Sequence, residues 1–148
     1  MRISSKGRYG LAAMISVAQL GRTGDFVTVI SIAEKLGISK IYLEQVFSLL
    51  KRSKLVTSIK GSQGGYQLSK ASDKITVLEI LQAVELSLFE KTERSVSDSA
   101  EEIEKSLNSL VWDSLDSTIT NILKNITLSD LVIEADKAKS GEDFMFYI

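Results

Sequence analysis

The sequence predicts a mainly α fold: a winged helix-turn-helix with a small β-hairpin wing, followed by one long helix. Three observations carry this. Residues 31–52 hold a short helical pattern, a turn at Gly37 and a longer helical pattern with a polar outer face. Residues 55–70, "LVTSIKGSQGGYQLSK", read as two short strands flanking a glycine-rich turn. From about Ala100 to Asn125, apolar residues recur at helical period, and the chain has no proline to interrupt them.

The elements follow in order. "SKGRYGLAAMISVAQLGRTG" is a first helix whose apolar face is Leu11, Met14, Ile15 and Ala18, ended by the Gly21–Gly24 region. Ser31 and Glu34 form a capping-box pattern that opens a short helix. Gly37 breaks it, and Ser39 caps a second helix running to about Arg52. Ile38, Leu43, Val46, Leu49 and Leu50 supply its inward face; Ser39, Lys40, Tyr42, Glu44, Gln45 and Ser48 face outward. Thr76 and Glu79 open another capped helix that closes this part near residue 87. The long stripe is Ile103, Leu107, Leu110, Val111, Leu115, Ile119, Ile122, Leu123 and Ile126. "TLSDLVIEADKAK" is a further short helix, and "EDFMFYI" an apolar end that packs on the rest. The division expected is 1–87 for a DNA-binding domain, 88–99 for a loop, and 100–148 for the long helix and C-terminal segment.

Composition removes whole classes of function. The chain has no cysteine and no histidine, so disulfides, thiol nucleophiles, thiolate metal sites and imidazole chemistry are absent. No nucleophile–base constellation remains, and an enzyme is not expected. No apolar run is long enough for a membrane span, and "MRISSKGRYG" is not a signal peptide, so a cytoplasmic protein is expected. The net charge of −1 conceals an asymmetry: residues 1–75 carry twelve Lys/Arg against four acids, and residues 76–148 carry six against fifteen. A basic half points to a polyanion partner.

A helix-turn-helix, a β-hairpin and a basic surface together point to double-stranded DNA. The recognition helix would enter the major groove and the wing would lie on the backbone or minor groove. The candidate contacts are Arg2 and Lys6 near the N-terminus, Ser39, Lys40, Tyr42, Glu44 and Gln45 on the second helix, and Lys60 and Gly61 at the wing. No helix starts directly after the wing glycines, so they are not a phosphate loop. An apolar stripe on a projecting helix needs a partner, and a homodimer would place two recognition helices on a two-fold operator.

Three stretches, "ISSKGRYGL", "GISKIYLEQVFSLLKRSKLVTSIKGSQGGYQLSK" and "LKNITLSDLV", make the chain resemble the Rrf-two family of bacterial winged-helix regulators. The resemblance implies a winged helix-turn-helix DNA-binding domain plus a long dimerisation helix, working as a homodimer. It places recognition positions on Ser39, Tyr42, Glu44 and Gln45 and the wing cation on Lys60, where relatives usually carry Arg. Ile41 stands where cluster-sensing members have a serine, implying a different site preference.

One branch of the family senses iron–sulfur status through a [2Fe–2S] cluster held by three cysteines in the loop before the long helix. Another governs cysteine metabolism and answers to a partner protein or metabolite. The resemblance aligns the three cysteines with Ser95, Ser99 (Ser97 is the other choice) and Ser106, and a histidine ligand with Ser109. The roomy loop favours the cluster-sensing branch. This chain would then be an apo-like form without a cofactor of its own, whose cysteine-containing parent holds the cluster. An engineered Cys→Ser exchange, a natural loss and an ordinary serine-rich loop all account for the serines. The function expected is a transcriptional regulator of iron–sulfur cluster biogenesis, with the cysteine-metabolism type as alternative. A helical interaction module without DNA activity is the third reading.

Overall fold

The computed structural model describes residues 1–61 and 64–146, with side chains described up to Gly141. The hairpin tip at Ser62–Gln63 and the side chains of the apolar "EDFMFYI" end lie outside the described residues.

Helix α1, Ser5–Leu20, packs against four other helices and the second strand of the wing. Ser4 caps it by accepting a hydrogen bond from the Gly7 N–H, 3.2 Å. The Ser4 amide and hydroxyl both donate to Glu85, whose side chain is buried. Gly7 and Gly10 give room for this approach: a Cβ on Gly10 would lie 3.1 Å from a Val84 methyl. The most deeply buried apolar residues of α1 are Ala13, Met14 and Val17. The expected face was Leu11, Met14, Ile15 and Ala18, three of which are only half-buried against the core. The phase was misread because a helix packed on several sides has no single apolar stripe.

Helix α2, Val29–Leu36, starts two residues before the expected Ser31. Its cap is Thr28, whose Oγ1 accepts from the Ser31 N–H at 3.1 Å, while the Ser31 hydroxyl donates to the Thr28 carbonyl at 2.8 Å. The chain is already anchored there, because Val27 and Tyr66 exchange two backbone hydrogen bonds of 2.8 Å. Gly37 ends α2 with φ 66°, a left-handed conformation that glycine adopts without strain. Helix α3, Lys40–Arg52, follows at once.

Strands β1, Val56–Ile59, and β2, Gly65–Leu68, pair antiparallel with Val56 opposite Leu68 and Ile59 opposite Gly65. Helix α4, Val77–Val84, has the expected Thr76 cap, accepting from the Glu79 N–H at 3.1 Å. The core joins Met14, Ile32, Leu43, Phe47, Leu50, Ile75 and Ile80, all fully buried.

The long helix is built from α5, Glu101–Leu107, a π-helical turn over Asn108–Trp112, and α6, Asp113–Lys124. Helix α7 runs Leu128–Phe146, longer than the short helix expected. Thr127 caps it reciprocally with Asp130: the Asp130 N–H donates to Thr127 Oγ1 and the Thr127 N–H to the Asp130 carboxylate. Leu128 is fully buried in the same core as α3 and α4. The chain after the long helix therefore returns to the winged-helix unit: Val77 and Leu128 donate backbone hydrogen bonds to Ile126 and Ile75, both 2.8 Å.

Candidate nucleic-acid interface

Burial of Leu43, Val46, Phe47 and Leu50 fixes the rotation of α3 about its axis. The opposite face is set by the same period, and Lys40, Ile41, Glu44, Gln45 and Ser48 are all exposed on it. Ser39 caps the helix as expected, accepting from the Tyr42 N–H at 3.1 Å, so its hydroxyl proton is free for an outside acceptor. Tyr42 departs from the outward position expected. It is half-buried, with its ring edge-on to Tyr9 of α1 at 5.2 Å between centroids.

Lys6 on α1 shares one shallow groove with Ile41, Glu44, Gln45, Ser48 and Leu49. The first turn of α1 and the outer face of α3 thus form one surface. Arg2 is exposed just ahead of it. Lys40 and Glu44 stand 3.7 Å apart as an exposed i, i+4 pair, worth little to stability but holding both charges on the surface. At the far end, Lys51, Arg52 and Lys54 are exposed where α3 presents its carbonyl terminus.

On the other side of α3 lies the wing. A groove between them is lined by Thr28, Ile30, Lys40, Glu44, Ser58, Ile59, Gly61 and Tyr66, among others. Sequence reasoning missed Thr28, Ile30, Ser58 and Tyr66 as neighbours of this surface. The alternation of "VTSI" could have offered Ser58, but the others depend on the Val27–Tyr66 bridge. Tyr66 stacks on Phe47 at 4.4 Å. Burial pushes its phenol above the ordinary value, and the Glu44 carboxylate adds to the effect. Gly65 has no room for a side chain, since a Cβ would meet Phe26 and the Val27 carbonyl at 3.1 Å. Lys60 and Gly61 are exposed at the outer end of β1.

The serine-rich loop is organised by two charged residues. The Glu104 side chain is buried and accepts hydrogen bonds from the Ser95 N–H, 3.0 Å, and the Val96 N–H, 3.2 Å. Arg94 donates to the carbonyls of Val96 and Ser97 and to the Glu101 carboxylate, at 2.7, 3.2 and 2.6 Å. The Arg94 guanidinium beside Glu101 holds that carboxyl below its ordinary value. Ser95, Ser99 and Ser106 are exposed, and no hydrogen bond joins their side chains. Ser97 and Ser99 meet at 2.7 Å between hydroxyl oxygens, and the Ser109 hydroxyl donates to the Ser106 carbonyl at 3.5 Å.

These residues do not fit a [2Fe–2S] cluster. Its irons take thiolate or imidazole donors, the chain has neither, and a neutral hydroxyl is a much weaker, harder ligand. Among the described residues no group of three Asp or Glu carboxylates converges either.

The family model for Rrf2, described as an iron-dependent transcriptional regulator, matches residues 3–134. The HTH-type transcriptional regulator IscR of Erwinia tasmaniensis is 39% identical, over 96% of this chain and 88% of that protein. IscR of Klebsiella pneumoniae strain 342 is 41% identical over 89% of this chain and 80% of that protein. Among solved structures, B. subtilis CymR, the global cysteine regulator, aligns with a TM-score of 0.72 at 33% identity, covering 90% of this chain and 98% of CymR. T. potens IscR aligns with a TM-score of 0.71 at 34% identity, covering 93% of this chain and 90% of that one. The helix-turn-helix, the wing and the sequence match agree: the chain belongs to the Rrf2 family of transcriptional regulators, whose named relatives are regulators and not enzymes.

Proposed function

We propose that this protein is a homodimeric, cytoplasmic regulator that binds a two-fold operator in double-stranded DNA. It controls genes of iron–sulfur cluster biogenesis in the form that cluster-sensing relatives take without their cluster. The observation that carries the reading is the exposed polar face of α3, flanked by Lys6 on α1 and Lys60 on the wing. A cation on each side of a recognition helix meets the two phosphate ridges that border a major groove. Identity of 39–41% with IscR proteins supports the target class. In cluster-sensing members the cluster would order the loop; here Glu104 and Arg94 already hold it.

The cysteine-metabolism reading has the fold match to CymR behind it. It shares the DNA-binding mode and differs in target genes and in control by a partner protein or metabolite.

The test is binding of a fluorescent duplex carrying a promoter of iron–sulfur assembly genes, titrated across salt, with a cysteine-metabolism promoter in parallel. Several phosphate contacts predict a fall in affinity of about a hundredfold or more between about 50 and 200 mM salt. Absence of DNA binding at low salt would leave a helical interaction module as the remaining reading. Preference for the second promoter would select the CymR-like alternative.

A further inference from the structure

Ile41 is 72% exposed at the second residue of the recognition helix. It cannot turn inward, because Leu43, Val46, Phe47 and Leu50 fix the helix from the other side. Its neighbours in the groove are Lys6, Glu44, Gln45 and Ser48, together with half-buried Leu49. An isoleucine offers no donor or acceptor, so it contributes nothing to hydrogen-bond readout. The major-groove edges of the four bases carry one apolar group, the C5 methyl of thymine. A β-branched side chain in a helix holds essentially one χ1 rotamer, so its methyls are already placed and lose little freedom on contact. The N-terminal turn of a recognition helix is the part that approaches base edges most closely.

We propose that Ile41 is a specificity residue that reads a thymine methyl, at one position in each operator half-site. This rests on the DNA-binding reading above and adds to it a base and an atom. Lys6 and Lys40 beside it supply the phosphate-directed charge, and Gln45, one turn on, addresses the next base by hydrogen bonding.

The experiment starts from the tightest duplex that the wild-type dimer selects from a random 30-base-pair pool. Each thymine is then replaced singly by uracil, which removes the methyl and keeps Watson–Crick pairing. Loss of one buried methyl contact predicts a drop of about fourfold in affinity at one thymine per half-site, and about fifteenfold with both replaced. Ile41→Ala should bind the thymine duplex about as weakly as wild type binds the uracil duplex, and should be indifferent to the replacement. Because Ile41 is exposed, this variant should unfold at the wild-type temperature. Sequence-selective binding by wild type with no uracil penalty anywhere would overturn the assignment. So would an Ile41→Ala protein that keeps the full penalty at the same thymine. A pool that yields no bound duplex at all would instead overturn the DNA-binding reading, and the methyl contact with it.

Discussion

Glu104 is 4% exposed, and burying its carboxylate is offset by two backbone amides of the serine loop that both donate to its Oε2. Glu104→Ala leaves those amides without a partner and should lower stability by about 1–3 kcal/mol in denaturant titrations. It should also open the loop near Ser95–Ser99 to protease. An unchanged midpoint together with an intact loop would mean that Arg94 suffices alone. Acid acts on the other half of this clasp. The folded-state pKa of Glu101 is depressed, so its pair with Arg94 stabilises fully above the unfolded value of about 4.3 and is lost as pH falls through the lower folded value. The carboxyl titration followed by NMR should therefore fall below that of a model peptide, and Arg94→Ala should bring it back. None of this was legible in the sequence, because the partners of Glu104 are backbone groups that no residue type advertises. At the DNA face, residue identity says more. Lys60→Ala should weaken binding to all duplexes alike and make it less salt-dependent, whereas Gln45→Ala should relax base preference by about 1–3 kcal/mol at one position. Normal binding of every duplex by both variants, in a mobility-shift titration, would sink the proposed docking.

Single elements were legible where their signal is local. Ser39 and Thr76 cap their helices as read, and the wing strands pair across the glycines as the alternation required. Ser31 failed as a cap because Thr28, three residues earlier, is equally able and follows the anchored Val27. The extent of α7 was missed for a different reason: what holds it is distant in sequence. Its first residue, Leu128, fills the core between helices more than forty positions away. Leu128→Ala should cost about 2–5 kcal/mol by chemical denaturation. A cost near zero would show α7 to be an appendage. Further along, Asp136 joins α7 to α1, accepting from Gln19 at 3.0 Å and pairing with Arg22. These donors hold its carboxyl below the ordinary value, so the clamp is complete at neutral pH and releases only in acid.

At the scale of the whole molecule, the long helix decides how the parts assemble. Its stripe runs Ile103, Leu107, Leu110, Val111, Leu115, Ile119 and Ile122, in steps of three or four residues apart from the adjacent Leu110 and Val111. The π-helical turn over Asn108–Trp112 falls in the middle of it. Ile103, Leu110, Leu115 and Ile122 are 49–74% exposed in the single chain. That much apolar surface in one line is what a second copy would cover, and a two-fold pair of recognition helices would follow from it. Leu115→Asp with Ile122→Asp places a charge at the centre of the proposed contact without touching the protomer core. The variant should sediment as a monomer, unfold at a denaturant midpoint that no longer depends on protein concentration, and lose most of its affinity for a full operator while still binding a half-site weakly. A double variant that stays dimeric would move the interface to another face of the molecule. A monomer that binds the operator as tightly as wild type would break the link between the long helix and DNA recognition, because two linked half-sites must bind more tightly than either one alone.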